Sequence, residues 1–122
     1  LEVIRTLRKA GCKITDDAVK RGMERTQWPG RFSCIGEAPV FILDGAHNED
    51  AALKLKESVE AYFPGRRLIG IMGVFRDKEY EKIAQTMGPL MSVVYAVDLP
   101  DEKRGLPAEE LAEVLGKYCP CV

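Results

Sequence analysis

The sequence is poor in histidine and aromatic residues, carries almost no net charge and lacks any long apolar segment. Its 122 residues include one histidine, 7% are aromatic, and the net charge is −1. A balanced charge argues against a nucleic-acid-binding surface, which needs a basic patch. No apolar run approaches the roughly 20 residues that cross a bilayer. We therefore expect a cytoplasmic protein without nucleic-acid or membrane partners.

The spacing of the four cysteines argues against metal and disulfide frameworks. Cys119 and Cys121 form a lone C-x-C pair, while Cys12 and Cys34 stand apart. A structural zinc site would need a second pair or suitably spaced histidines. A chain of this length can fold around a hydrophobic core without disulfides. We expect four reduced, mostly structural thiols and no metal ligands.

The residues that are abundant predict an α/β domain, since 46% of the chain is hydrophobic and 30% is charged. Helical apolar spacing marks residues 1–11, 14–26, 48–62, 78–87 and 107–115, and strand-like runs cover 32–35, 40–43, 67–73 and 92–98. The linker Gly36–Pro39 predicts an antiparallel hairpin. The later strands are apolar throughout, which is typical of a parallel sheet covered on both faces. We predict a Rossmann-like α/β fold: a mostly parallel sheet with flanking helices and one antiparallel edge hairpin.

Three polar segments follow strands and are expected at the carboxyl edge of the sheet, where ligands bind in such folds. They are residues 44–48, 73–79 and 98–104. Ordinary strand exits are also polar, so the last two carry little weight alone. In the first, "DGAHN", Gly45 allows a turn and Asn48 caps a helix, but neither role explains Asp44 together with His47. Asp44 suits ribose hydroxyls, and His47 suits an anion at the helix N-terminus.

The stretch "QWPGRF" offers a second candidate. A rigid Pro-Gly turn would fix the guanidinium of Arg31 toward phosphate or an adenine edge. The structural alternative is that Trp28 belongs to the core and Arg31 is a surface charge.

Together these segments resemble a known family. "WPGR" at 28–31, "PVFILDGAHN" at 39–48, "DK" at 77–78 and "RGLPAEEL" at 104–111 resemble the C-terminal domain of folylpolyglutamate synthase. This enzyme is often also dihydrofolate synthase in bacteria, and it belongs to the Mur ligase superfamily. The resemblance covers most of the chain, in order.

The resemblance implies an ATP-dependent carboxylate–amine ligase that joins L-glutamate to folate or dihydropteroate through an acyl phosphate, with Mg²⁺. Carried over to this sequence, Arg31 and Asp44 are expected to contact ATP. His47 is expected on the glutamate side as the catalytic and substrate-binding residue, with Asn48 beside it as a substrate-side motif position. Lys78 and Arg104 carry over without an assigned role.

The sequence departs from the family pattern in three respects. Glu49 replaces a common proline, Glu79 replaces the last aspartate of "DKD", and no phosphate-binding loop occurs. We expect residues 1–26 to be the helical tail and linker of a preceding ATPase domain, which would hold most Mg²⁺ ligands. Residues 27–122 would be the Mur ligase C-terminal-type domain, truncated at its C-terminal end and inactive alone.

Two alternatives remain. One is a peptidoglycan-type Mur ligase, against which the tryptophan of "WPGR" argues. The other is a non-catalytic nucleotide-binding α/β module, which would bind ATP by itself with useful affinity.

Overall fold

Five α-helices and four short β-strands follow one another in the predicted order, within residues 1–101 and 103–122, which the computed structural model describes. The helices are α1 (Glu2–Lys9), α2 (Asp16–Arg25), α3 (Glu49–Tyr62), α4 (Tyr80–Met87) and α5 (Ala108–Leu115). The strands are β1 (Ser33–Glu37), β2 (Val40–Leu43), β3 (Ile69–Met72) and β4 (Val93–Ala96), and a short 3₁₀ helix covers Gly88–Leu90.

Side-chain caps explain where three of the helices begin. The Thr15 hydroxyl accepts a 3.1 Å hydrogen bond from the Ala18 amide at the start of α2. Asn48 caps α3 by accepting from the Ala51 amide at 2.9 Å. Pro107, which precedes α5, has no capping side chain, and Asp98 from the end of the β4 segment accepts from the Ala108 amide at 2.9 Å instead. Each cap satisfies an amide that has no partner within its helix.

The α/β fold class is confirmed, although the strands form two small sheets. β1 and β2 form the predicted antiparallel hairpin, and β3 pairs with β4 in parallel register from Ile69–Val93 to Met72–Ala96. Among the described residues, no strand pairing joins the hairpin to the parallel pair. The hairpin is instead linked to the end of α3 by aromatic packing, with the rings of Phe32 and Tyr62 centred 5.6 Å apart.

The core lies on one face of the parallel pair. Its buried residues are Ala52, Val74, Ile83, Ala84, Met87, Val94, Leu106, Leu111, Leu115 and Cys119. They come mainly from α4, α5 and β4, so these elements share one apolar cluster. The expectation that both faces are covered is wrong for the described residues: Ile71 remains 62% exposed, and Ile69 and Tyr95 are also exposed. The helices that supply the buried cluster pack against the opposite face, which carries Gly70 and Val94.

The cysteines are free, as expected, but only one has a structural role in the core. Cys119 is buried, and its Sγ contacts the Met91 carbonyl oxygen at 3.4 Å. Cys12, Cys34 and Cys121 are exposed, so the prediction of mostly structural thiols is wrong for them. Within the described ranges, no helix has the length and apolar character needed to cross a membrane.

Candidate functional site

The side chain of Asp44 joins the "WPGR" turn to the "DGAHN" loop. Its Oδ2 accepts a 2.7 Å hydrogen bond from the Phe32 amide, and its Oδ1 accepts a 2.8 Å bond from the Ala46 amide. The hairpin creates this contact because Ser33 pairs with Leu43, which places the residues on either side of that pair next to each other. Both carboxylate oxygens therefore have backbone partners, and each retains a further lone pair for a ligand.

The two loops also approach each other through their backbones. The Gly45 amide donates to the Gly30 carbonyl at 2.8 Å, and a Cβ on Gly45 would lie only 3.3 Å from that oxygen. Gly30 has φ +76° and Phe32 has φ +44°, both in the left-handed region. Glycine at 45 therefore permits the close approach, while Phe32 is held in a conformation that costs free energy for a residue with a Cβ.

Arg31 lies at the surface of this junction. One of its guanidinium nitrogens, Nη1, contacts the Gly45 carbonyl at 3.4 Å, which is a long hydrogen bond. Most of its five N–H donors are therefore available to an anion. Trp28 is exposed, so the alternative that it belongs to the core is wrong, while the alternative that Arg31 is a surface charge is compatible with its position.

His47 is exposed, and one ring nitrogen is held by the loop. Its Nδ1 lies 2.8 Å from the Gly45 carbonyl oxygen. Because a carbonyl oxygen only accepts, Nδ1 must carry the proton in this contact. In the neutral ring Nε2 is then an acceptor, and in the charged ring it is a donor. The geometry leaves Nε2 suited to contact a substrate group.

The N-terminus of α3 is already occupied by acceptors from the chain itself. Asn48 accepts from Ala51, and the Glu79 carboxylate accepts from the Glu49 amide at 3.2 Å. An anion bound beside His47 would therefore find fewer free amides than a bare helix terminus offers. Glu79 comes from the segment after β3, so two of the three predicted polar segments meet here.

The second of these segments (73–79) also meets the third (98–104). Phe75 forms an antiparallel bridge with Gly105, and the Arg76 amide donates to the Arg104 carbonyl at 2.8 Å. Arg104 Nη2 lies 3.7 Å from Asp77, and its guanidinium stacks 4.5 Å from the centre of the Phe75 ring. A hydrogen bond from Lys78 lowers the pKa of Asp77 below its usual 3.8.

An open cavity of about 300 Å³ lies at this junction, lined by Arg76, Asp77, Lys103 and Arg104. Arg76 is held by a two-pronged ion pair with Glu110 of α5, at 2.9 and 3.0 Å. The cavity is therefore cationic overall, with one of its arginines fixed by an acid from another element.

Sequence patterns missed the contacts that tie the segments together. In the sequence, Glu49 and Glu79 are visible only as departures from a motif, and nothing distinguishes Lys82 or Arg76 from other surface charges. Spacing could not have found these pairs, because the partners lie 30 to 34 residues apart in the chain. Among the described residues, no group of three or more His, Cys, Asp or Glu side chains could hold a metal ion.

Comparisons with known proteins identify relatives of this chain. A probable bifunctional folylpolyglutamate synthase/dihydropteroate synthase of Halobacterium salinarum is 39% identical over 101 residues, covering 83% of this chain and 12% of the relative. The dihydrofolate synthase/folylpolyglutamate synthase of Escherichia coli is 36% identical over 113 residues, covering 90% of this chain and 26% of the relative.

Solved structures give the same result. E. coli FolC in complex with DHPP and ADP superposes with a TM-score of 0.83 at 30% identity, over 93% of this chain and 27% of that one. A bifunctional folylpolyglutamate synthase/dihydrofolate synthase with Mn, AMPPNP and L-glutamate bound superposes with a TM-score of 0.81 at 27% identity, over 98% and 29%. The chain thus spans less than a third of the length of these proteins. Residues 30–121 match the family described as "Mur ligase, glutamate ligase domain", and the chain belongs to this family.

Proposed function

We propose that the chain is the C-terminal domain of a cytoplasmic, ATP-dependent carboxylate–amine ligase that adds L-glutamate to folate, to dihydropteroate or to both. The observation that carries the proposal is the double hydrogen bond of Asp44, which holds the turn with Arg31 against the loop with His47. The names of the related proteins, folylpolyglutamate and dihydrofolate synthases, support the choice of substrates.

In the proposed reaction, the turn with Arg31 and the side chain of Asp44 serve ATP, and the loop with His47 serves glutamate. The substrate carboxylate takes the γ-phosphoryl group of ATP, which gives an acyl phosphate and ADP. The amine of glutamate then attacks the acyl carbon and releases phosphate. Arg31 and Asp44 would bind ATP, since a guanidinium suits phosphate or an adenine edge and a carboxylate suits ribose hydroxyls.

His47 would act on the glutamate side. In the neutral ring, Nε2 can take a proton from the ammonium group of glutamate, because Nδ1 already donates to Gly45, and the free amine then attacks the acyl carbon. Asn48 lies next to it, and its Oδ1 caps α3 while its amide nitrogen can donate to the substrate. Related structures contain ADP, or AMPPNP with Mn and L-glutamate, which supports ATP and glutamate as the ligands of the site.

The described residues do not fit a magnesium site, since they contain no cluster of acidic, histidine or cysteine ligands. We therefore assign the Mg²⁺ that accompanies ATP to a preceding ATPase domain. Two observations support residues 1–26 as the tail and linker of that domain. α1 and α2 contain no buried residue, and the family match begins at residue 30.

The test is an assay of the complete protein for glutamate-dependent ADP release, with dihydropteroate and tetrahydrofolate as alternative acceptors. Ligation with either acceptor supports the proposal and distinguishes the two activities. Turnover only with a peptidoglycan precursor would identify a peptidoglycan-type ligase instead. Tight ATP binding by residues 27–122 alone, without turnover in the complete protein, would identify a non-catalytic nucleotide-binding module.

A further inference from the structure

A single lysine on α4 connects the start of α3 to the start of α4. Lys82 Nζ lies 2.7 Å from Glu49 Oε2 and 2.9 Å from Glu79 Oε1. The second oxygen of Glu79 accepts the 3.2 Å hydrogen bond from the Glu49 amide. These three residues form what we call the Lys82 network, which links positions about 30 residues apart in sequence.

Both ends of the Lys82 network adjoin residues of the candidate site. Glu49 is the first residue of α3 and lies two positions after His47. Glu79 is the N-cap residue of α4 and directly follows Lys78. The network therefore fixes the distance between the loop that carries His47 and the loop that carries Lys78.

The charges within the network depend on Lys82. Hydrogen bonds to Glu49 and then Glu79 raise the pKa of Lys82, and the hydrogen bond from Lys82 lowers the pKa of Glu79. Without the lysine, the carboxylates of Glu49 and Glu79 would lie close together and repel each other. Removing Lys82 should therefore separate the two loops, and removing either acid should have a smaller effect.

The network is poorly suited to a role in stability. All three side chains are about half exposed to solvent, and exposed ion pairs contribute little to folding because water screens them. A role in geometry fits better, because it requires only that the network hold the N-termini of α3 and α4 at a constant distance from each other. The two positions at which the sequence departs from the family motifs, 49 and 79, are the two acids that this lysine binds.

We propose that Lys82 is a positioning residue for the amino-acid side of the site. It acts through the loop that carries His47 and does not itself touch substrate. The inference rests on the proposed ligase function, because it concerns where the incoming glutamate is placed. A displacement of about 1 Å in such a loop is enough to weaken a reaction substantially.

The test compares Lys82→Met, which keeps the aliphatic stem, with the wild type in the complete ligase. The KM for glutamate should rise about fivefold, while the KM for ATP and the Tm stay near wild-type values. Glu79→Gln keeps an oxygen for the Glu49 amide and should raise the glutamate KM less than Glu79→Ala. The matched control is Lys54→Met, which removes a 2.7 Å ion pair with Glu57 elsewhere on α3 and should leave both KM values unchanged.

Three outcomes would overturn the inference. The glutamate KM could be unchanged in Lys82→Met; both KM values could rise together with a lower Tm, which indicates a merely structural role; or Lys54→Met could reproduce the effect. Failure of the proposed function would look different, because the wild-type protein itself would then show no glutamate-dependent turnover.

Discussion

The carboxylate of Asp44 accepts a 2.7 Å hydrogen bond from the backbone amide of Phe32, twelve residues earlier in the chain. Phe32 has a positive φ of 44°, a conformation that residues other than glycine avoid unless neighbouring contacts hold it. The same carboxylate accepts from Ala46 in the next loop. One side chain thus sets the geometry of both motifs, in addition to any contact that it makes with ATP.

Replacing Asp44 with alanine should therefore affect both stability and ATP binding. Two backbone amides would lose their acceptors, and we expect a loss of about 1–3 kcal/mol in the free energy of unfolding. The apparent KM for ATP of the complete ligase should rise, because Arg31 is no longer held in place. Urea denaturation and steady-state kinetics measure the two effects.

Two further variants test whether these effects come from the acceptor oxygens of Asp44. Asp44→Asn keeps one acceptor oxygen and should fall between the wild type and Asp44→Ala. Asp50→Ala removes another acid, from the first turn of α3, and should change stability by less than about 1 kcal/mol. If Asp44→Ala were as stable as the wild type, the joining role of this carboxylate would be refuted.

Substitutions of His47 can separate its two ring nitrogens. Asparagine places an N–H donor near the position of Nδ1 and can keep the bond to the Gly45 carbonyl, but it has no group at the position of Nε2. If Nε2 contacts glutamate, His47→Asn should lower kcat/KM for glutamate about 100-fold and leave the KM for ATP near its wild-type value. A raised KM for ATP with normal glutamate kinetics would place His47 on the ATP side of the site and contradict the assignment to glutamate.

Local features of the fold could be predicted from sequence, because their causes are local. The caps Thr15 and Asn48 and the turn between β1 and β2 depend on residues a few positions apart. The exposed face with Ile71 and Tyr95 was not predicted, since an apolar strand has the same pattern whether one or both of its faces are covered.

The same distinction holds for the candidate site. The pattern singled out Asp44 and His47 because they are unusual at a strand exit. It did not predict that Asp44 binds the Phe32 amide or that Glu79 binds the Glu49 amide, since both bonds depend on how distant segments come together. The roles of Arg31, Asp44, His47 and Asn48 toward ligands remain predictions.

The core should respond strongly to loss of a central side chain. Leu111 on α5 is fully buried, at 0% exposure, in the cluster shared with α4 and β4. Leu111→Ala should lower the free energy of unfolding by about 2–5 kcal/mol, because it removes buried methyl groups and leaves a cavity. Leu53 on α3 is 44% exposed, and Leu53→Ala should cost less than about 1 kcal/mol. Similar losses for the two variants in urea denaturation would contradict the placement of the core.

The ion pair between Arg76 and Glu110 should make stability depend on pH in the acidic range. The hydrogen bond from Arg76 lowers the pKa of Glu110 below its usual 4.5. The unfolded chain therefore binds the proton more readily than the folded chain. The contribution of the pair is fully present above pH 4.5 and is lost as the pH falls through the folded-state pKa.

Glu110→Gln should accordingly lower the Tm at pH 7 by a small amount, because this half-exposed pair is bidentate. The Tm values of the two proteins should converge as the pH falls through the folded-state pKa of Glu110, below which the wild-type carboxylate is also neutral. Glu109→Gln is the matched control, since the neighbouring Glu109 forms no ion pair within the described part of the chain. Its Tm should follow the wild type across the range. Thermal unfolding monitored by circular dichroism at several pH values tests the prediction, and a Tm difference for Glu110→Gln that grows as the pH falls would have the wrong sign for this ion pair.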